Sequence, residues 1–339
     1  MFEGFLSIDQ SSKIPKYQQV VDTIVSDIQV GIVKVGDRIP SINETSEEFF
    51  LSRDTVEKAY RILCRRGVIS AVRGKGFYVT SGNAPSGKRV LLVLNKLSDH
   101  KKAIYNSFVH NLDSDTSVDL HIHQSDSRIL EKIIMENLGK YDHYVIMPHL
   151  LEETTQILNA INRIPKDRLL LLNRNLDGIH GTYGCVYEDF EHDIYKALYS
   201  GINEIRKYNK LIMVFPTESC YCTGIKRGFI SFCNDETFDA EIIETVSNRP
   251  VRPGELYIVI EETDLVEVIK KTAAKNLKLG RSVGLIAYND SPFKEILAGG
   301  ISVLSTDFLL MGKTMAEMVR TYSREKVKNP FRLIVRKSL

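Results

Sequence analysis

Two stretches of this sequence carry residues whose types and spacing suit recognition chemistry. Between Arg53 and Val79 seven basic residues (Arg53, Lys58, Arg61, Arg65, Arg66, Arg73, Lys75) face two acids, Asp54 and Glu57. An excess of that kind attracts phosphate oxygens by charge alone. The second set is polar residues that follow apolar runs: Asn95 and Ser98, Pro148 and His149, Asn173 and Arg174, Glu188 and Asp189, Glu218 to Tyr221, Glu262 and Asp264, Asn289 and Asp290. Amides, carboxylates and an arginine, with tyrosine rings nearby, can satisfy the hydroxyls of a sugar.

Other chemistry is argued against. Cys220-Tyr221-Cys222 has no second pair to complete a metal site, and the five cysteines are scattered and odd in number, so neither a metal nor a disulfide framework is expected. Gly312-Lys313-Thr314 matches the tail of a phosphate loop, but Asp307 stands where the first glycine belongs. No G-x-S-x-G, H-E-x-x-H or G-x-G-x-x-G occurs, so no catalytic residue and no cofactor is assigned.

The elements that must position the basic set are legible from periodicity. Tyr17, Val20, Val21, Ile24 and Ile28 make one apolar stripe of a helix that Gly31 closes. Ser41 and Glu44 have the capping-box spacing and predict a second helix to about Phe50. Ser52 caps a third with inward residues Val56, Ala59, Tyr60 and Leu63, and Gly67 stops it. Two helices joined at Leu51 read as a helix-turn-helix. Val68 to Val72 and Phe77 to Val79 flank Arg73-Gly74-Lys75-Gly76, a hairpin with a basic tip.

Small and polar residues at 81–87 mark a linker between a first domain, 1–80, and a second, 88–339. Beyond it, apolar runs at 90–94, 118–122, 144–147, 169–172, 211–215, 242–246, 256–260 and 283–286 alternate with amphipathic stretches. That alternation predicts an α/β domain of parallel sheets covered by helices, in two lobes. Loops after such strands are where ligands bind. Charged residues make up 26% of the chain and the hydrophobic set 43%, which suits a globular protein with a sizeable core. No apolar run is long enough to span a membrane and the first residues do not read as a signal peptide, so a cytoplasmic protein is expected.

In order and spacing, Pro15-Lys16-Tyr17, Gly36-Asp37-Arg38-Ile39-Pro40-Ser41, Ser52-Arg53-Asp54-Thr55-Val56, Ala59-Tyr60, Gly67-Val68-Ile69 and Gly74-Lys75-Gly76 resemble the winged helix-turn-helix of GntR-type transcription regulators. The resemblance implies base and phosphate contacts from Ser52, Arg53 and Thr55, with Gly74 at the wing tip entering the minor groove. Ser41, Asn43, Lys58, Arg73 and Lys75 complete the expected DNA-binding set. Asn43 stands where many members carry an arginine, and asparagine pairs with adenine where arginine prefers guanine.

A second, looser resemblance covers 88 onward. Val186 to Asp189, Arg227-Gly228-Phe229, Thr263-Asp264, the run from Val283 to Asp290, and Leu304 to Phe308 stand in the order seen in the effector domain of LacI-type regulators and periplasmic sugar-binding proteins. It implies effector contacts at Asp264 and Asn289, with Arg174 and Asp189 near the cleft; Asn95, Ser98, Pro148 and Tyr221 join them as candidates. Ile225 replaces an arginine common in sugar-binding members. Lobe one is expected at about 88–186 and 304–323, and lobe two at about 187–303 and 324–339. Together the resemblances imply a homodimeric repressor of carbohydrate-utilisation genes on a near-palindromic operator, released by a monosaccharide or sugar derivative. The alternative is a sugar-binding or transferase protein whose winged helix serves protein contacts only.

Overall fold

The computed structural model describes residues 8, 9, 12, 14–81, 87–217 and 221–339. The chain divides into two compact units: Met1–Arg89 with Asp113–Ser117 and Val319–Ser323, and the remainder. Residues 82–86 of the expected linker lie outside the described residues.

The first unit runs α1 (Lys16–Gln29), β1 (Arg38–Ile39), α2 (Ile42–Glu48), α3 (Arg53–Arg65), β2 (Ile69–Val72) and β3 (Gly76–Val79). The stripes of α1 and α3 meet in one buried cluster with Ile39, Ile69 and Val79 of the small sheet, as their helical spacing predicts. Tyr60 bonds through its hydroxyl to Thr45 Oγ1 and donates to the Pro40 carbonyl, each at 2.8 Å. That pair of bonds anchors α3 to the start of α2. Ser41 and Glu44 form the reciprocal cap their spacing predicts. One boundary differs. α2 ends at Glu48, because Phe50 takes a left-handed φ of 52° and the Leu51 N–H returns to the Ser46 carbonyl at 3.1 Å. This is a Schellman closure, and it lengthens the joint to Phe49–Ser52.

The second unit holds two sheets. β4 (Arg89–Leu94), α4 (Asp99–His110), β5 (Ser117–Ile122), α5 (Ser127–Asn137), β6 (His143–Ile146), α6 (Thr155–Asn162), β7 (Leu169–Asn173) and β8 (Gly184–Tyr187) build the first lobe. The chain then crosses to α7 (Phe190–Ser200), α8 (Ile202–Ile205), β9 (Lys210–Val214), α9 (Gly224–Asp235), β10 (Asp239–Ile243), β11 (Glu255–Val259), α10 (Glu262–Ala274), β12 (Gly284–Tyr288), α11 (Pro292–Ile296) and β13 (Ser302–Thr306). It returns for α12 (Phe308–Thr321) and β14 (Lys326–Lys328), and ends with β15 (Phe331–Ile334). Sheet orders are β14-β8-β7-β6-β4-β5 and β10-β9-β11-β12-β13-β15.

The registers of β4 with β6, β6 with β7, β7 with β8 and β8 with β14 are parallel, as are those from β10 to β13. β15 is antiparallel to β13. The expected lobe boundaries are corrected at their ends. Residues 304–306 pair with β15 in the second sheet, and 326–328 pair with β8 in the first. Backbone hydrogen bonding decides this, and short strands give sequence periodicity nothing to register.

The three crossings are tied at one residue. Asn329, 2% exposed, donates through Nδ2 to Thr306 Oγ1 at 2.7 Å and to the Asp307 carbonyl at 3.0 Å. Its own N–H reaches the Tyr187 carbonyl at 2.8 Å. From the third crossing, Asn329 thus bonds to the other two, through its side chain to one and its backbone to the other.

Candidate nucleic-acid interface and ligand cleft

In the first unit the N-terminus of α3 is set by Ser52, whose Oγ accepts from the Thr55 N–H at 3.2 Å and bonds to Thr55 Oγ1 at 2.7 Å. Ser41 is engaged the same way in its own cap, at 3.2 Å from the Glu44 N–H. These hydroxyls orient the helix ends. Beside them, Asn43 and Arg53 stand exposed. At the wing, the Lys75 N–H bonds to the Val72 carbonyl at 2.9 Å and Gly74 takes φ 75°, a backbone that L side chains rarely adopt. Arg73 and Lys75 flank it, both exposed.

The basic residues are not equivalent. Arg61 pairs with Glu57 at 2.7 Å. Lys58, expected to face outward, lies with its ammonium 3.8 Å from the centroid of the Tyr17 ring, directed at α1. Its position one turn after Asp54 on α3 places it beside the packed face. Arg38, not singled out from the sequence, stands exposed with its guanidinium against Gly76 at the root of the wing. Among the described residues Arg53, Arg73 and Lys75 make no ion pair.

In the second unit a pocket with about 530 Å³ of empty volume, the open space at its mouth included, is lined from both lobes. The first lobe contributes Asn95, Lys96, His100, Lys101, His149, Asn173, Glu188 and Phe308; the second contributes Phe190, Tyr221, Cys222, Tyr288 and Asn289. Strand ends supply most of them, as open α/β sheets require. Asn173 closes β7 at φ 73°, and Asn289 follows β12 at φ 60°. Lys294 holds the second of these turns, its Nζ donating to the Tyr288 carbonyl at 3.0 Å and the Asn289 carbonyl at 2.7 Å. Left-handed asparagines at both strand ends turn the chain sharply away and leave the amides at the pocket wall.

Burial sets the charges. Glu188 is 8% exposed and accepts a hydrogen bond from Asn173 Nδ2. Burial pushes its carboxyl up to about 8, and the nearby Lys101 and the Asn173 bond offset only part of that rise. At neutral pH it is mostly protonated. Burial and the surrounding cations hold His149 well below its ordinary value and lower His100 to about 4, so both rings are neutral. His100 also stacks on Phe308 at 5.2 Å. Lys101 is 7% exposed, with Nζ 2.9 Å from Met147 Sδ. The Tyr288 hydroxyl, on a residue 5% exposed, and His149 Nε2 are buried with no hydrogen-bond partner. Tyr221 and Tyr288 meet edge-on at 6.3 Å. The result is a polar, donor-rich cavity with aromatic walls, suited to a small hydroxylated molecule.

Of the effector residues expected from sequence, Asn95, Tyr221 and Asn289 line this pocket. The others do not line it. Asp264 is buried at the start of α10, where it accepts from the Val246 N–H at 2.9 Å and the Thr245 hydroxyl at 3.1 Å. Arg174 pairs with Glu153 at 2.7 Å. Asp189 faces Lys328 of β14 at 3.6 Å. Ser98 stands at the N-terminus of α4 with a buried, unpartnered hydroxyl, and Pro148 is buried beside His149. At three strand ends the residue that lines the pocket is the immediate neighbour of the expected one: His149 for Pro148, Asn173 for Arg174, Glu188 for Asp189. Neighbouring side chains at a strand end point different ways, so a shift of one residue along the chain changes which of them faces the pocket. Lys96, His100 and Lys101 had one signal in the sequence: they surround Ser98, the residue that starts a helix just after a strand end. Ile225, the replacement for an arginine, is fully buried in the second lobe's core, and Arg227 pairs with Glu191 at 2.6 Å. Gly228 meets the Glu191 carbonyl so closely that a Cβ there would collide with it, which fixes α9 against α7.

Among the described residues no group of three His, Cys, Asp or Glu is placed to hold a metal, and no helix is long and apolar enough to cross a membrane.

Comparison with known proteins agrees with both halves of this geometry. Residues 16–79 match the family model described as bacterial regulatory proteins, gntR family. The HTH-type transcriptional repressor YtrA of Bacillus subtilis is 36% identical over 75 residues, 22% of this chain and 58% of that relative. A LacI family transcriptional regulator from Silicibacter pomeroyi superposes with a TM-score of 0.61 at 12% identity, covering 74% of this chain and 98% of that one. A periplasmic binding protein/LacI transcriptional regulator from Alkaliphilus metalliredigens, complexed with D-xylulofuranose, gives 0.58 at 11% identity, covering 74% and 99%. The chain therefore joins a winged helix-turn-helix, whose residues 16–79 match the gntR family model, to a two-lobed unit with the fold seen in LacI-type and periplasmic-binding-protein-like regulators.

Proposed function

We propose that this protein is a cytoplasmic, homodimeric transcription repressor that binds a near-palindromic operator and is released when a small sugar or sugar derivative enters the cleft. The observation that carries the reading is the trio Arg53, Arg73 and Lys75, exposed at a helix N-terminus and a wing tip with no ion pair among the described residues. Charge left exposed and uncompensated on such a face is the footprint of phosphate binding. The repressor role follows YtrA's printed function, and the sugar follows both the donor-rich, aromatic cleft and the neighbour bound to D-xylulofuranose. Ser41, Asn43, Ser52, Thr55 and Gly74 complete the proposed DNA-facing set. Asn95, Tyr221 and Asn289 join Asn173, Glu188 and Tyr288 as the proposed effector contacts.

Release requires the effector to favour one lobe arrangement over another, and it weakens operator binding by that preference alone. Typical coupling of about 1 to 3 kcal/mol corresponds to roughly 5- to 150-fold. The test is a titration of DNA from upstream of the gene, at several salt concentrations, with and without monosaccharides that raise thermal stability. Salt-dependent, sequence-selective binding that sugar weakens supports the proposal. Absence of any DNA binding points instead to a winged helix used for protein contacts. Reciprocity adds a check: saturating operator must weaken sugar binding by the same factor.

A further inference from the structure

One exposed cation of the first unit has no role so far, and its seat points at the wing. Resting on the reading of residues 16–79 as a DNA-binding surface, we propose that Arg38 is a further contact to the DNA backbone. Its guanidinium, laid across Gly76, takes a phosphate at the rim of the groove that receives the wing tip.

The direction of the side chain follows from its strand. Ile39 is 1% exposed and points into the core, so Arg38 before it in β1 points outward. β1 runs antiparallel to β3, with Arg38 opposite Tyr78 and Ile39 opposite Phe77, so Arg38, Tyr78 and Gly76 share the outer face of the small sheet. On that face the side chain reaches toward the hairpin tip. A Cβ built on Gly76 would lie 3.1 Å from Arg38 Nε and 3.8 Å from its Cζ and Nη2. The guanidinium therefore rests on bare backbone, in a place that a side chain at 76 would crowd.

No acid neutralises that head. Among the described residues Arg38 makes no ion pair and no side-chain hydrogen bond. The acids on either side of it in the sequence are engaged by backbone: Asp37 accepts from the Lys34 N–H at 2.8 Å, and Glu44 from the Ser41 N–H at 2.6 Å. The bonds to Ser41 are the main cause that holds the Glu44 carboxyl below its ordinary value, and the Arg38 charge adds to them, so the guanidinium is within electrostatic reach of the first turn of α2. Elsewhere Arg61, Arg174, Arg227, Arg249 and Arg336 each meet a carboxylate. Arg38 is seated instead by a glycine, with its donor fork open. A planar fork of five N–H donors matches the oxygens of a phosphate.

Distance decides between phosphate and base. Gly76 lies two residues behind Gly74 of the tip, and two residues of strand advance about 7 Å. The grooves of a duplex are roughly 8 Å deep. With Arg73, Gly74 and Lys75 inserted in either groove, the Arg38 head stands level with the rim, where the phosphates run. A contact there positions the protein on the duplex and carries no sequence information. In this Arg38 differs from Arg53, which stands at the start of the recognition helix.

The experiment titrates the full chain with duplex DNA from upstream of the gene and with a scrambled duplex of equal length and composition, over a range of salt. Arg38→Gln keeps most of the stem and removes the charge. It is expected to weaken binding to both duplexes by the same factor, about three- to ten-fold at low salt, and to lower the slope of log affinity against log salt by about 1. The preference for the upstream duplex and the Tm are expected to stay at wild-type values. Arg38→Lys, which restores the charge, is expected to recover the slope, whereas Arg53→Ala is expected to lose preference between the duplexes. A wild-type slope in Arg38→Gln overturns the inference and leaves the DNA reading intact. A loss confined to the upstream duplex also overturns it, because Arg38 would then read bases. Wild-type protein that binds neither duplex overturns the DNA reading and this inference with it. Should Arg38→Gln fold poorly, Arg38→Met carries the same comparison, and an undiminished slope there overturns the proposal.

Discussion

The winged helix and the cleft both gather cations, and they treat them in opposite ways. On the winged helix, Arg53, Arg73 and Lys75 stand in water, where holding a charge costs little and its field reaches about a Debye length, so attraction is long in range and easily screened. In the cleft, Lys101 is removed from water, and in the same lining Glu188 is mostly protonated while His100 and His149 are neutral. Interactions there are short in range and resist screening, at the cost of stability before any ligand arrives. The difference teaches how one chain can hold a surface suited to finding a polyanion and a cavity suited to selecting one small molecule. It also sets where substitutions are felt. Changes on the exposed face act on binding, and changes in the buried one act on folding as well.

The largest effect expected from this contrast is a pH dependence. Glu188 ionises at about 8 in the folded protein against an ordinary value of 4.5. Below 4.5 both folded and unfolded forms are protonated and nothing is lost. As pH rises from there to 8 the unfolded form gives up its proton and the folded form keeps it, so stability falls through that window and levels off above it. The decline is on the order of 5 kcal/mol. Glu188→Gln is expected to flatten it, with the variant more stable than wild type at pH 8 by denaturant titration of the two-lobed unit. An unchanged pH profile would mean that the carboxyl is ionised in the fold.

Next in size is Arg53→Ala, expected to lose about 1 to 3 kcal/mol of operator affinity with no change in Tm. If it destabilised the fold and spared binding, the exposed face would be structural and the contrast would collapse. Asp264→Ala follows, losing a buried bond to the Val246 N–H and the Thr245 hydroxyl. It is expected to cost about 1 to 2 kcal/mol of stability while ligand affinity measured by calorimetry stays at the wild-type value. Weakened ligand binding in a well-folded variant would return Asp264 to the site. The smallest is Lys58→Met, which removes the ammonium from the Tyr17 ring. A loss of about 0.5 to 1 kcal/mol in stability is expected, with the salt slope of DNA binding unchanged. A slope lowered by about 1 would show that Lys58 also reaches phosphate.

Sequence by itself determined the winged helix almost completely. Its helices announce themselves by 3.6-residue stripes, its caps by Ser41-x-x-Glu44 and Ser52, and its hairpin by Gly74 and Gly76 between apolar runs. All of that is local information, because helix periodicity, capping and tight turns are settled by residues a few positions apart. Even there Phe50 escaped, since nothing in its chemistry favours the left-handed backbone that ends α2. In the second unit the alternating pattern was enough for parallel sheets in two lobes, and residues at the ends of those strands line the pocket. Which residue of each loop faces the pocket was decided only by tertiary structure. Asn173 rather than Arg174, and Glu188 rather than Asp189, follow from the pleat and from register with strands far along the chain. The returns of β14 and β15, Asn329 across the three crossings, and the protonated state of Glu188 are of the same kind. Hydrogen-bond register and burial are properties of which distant segments meet, and spacing along a chain does not record them.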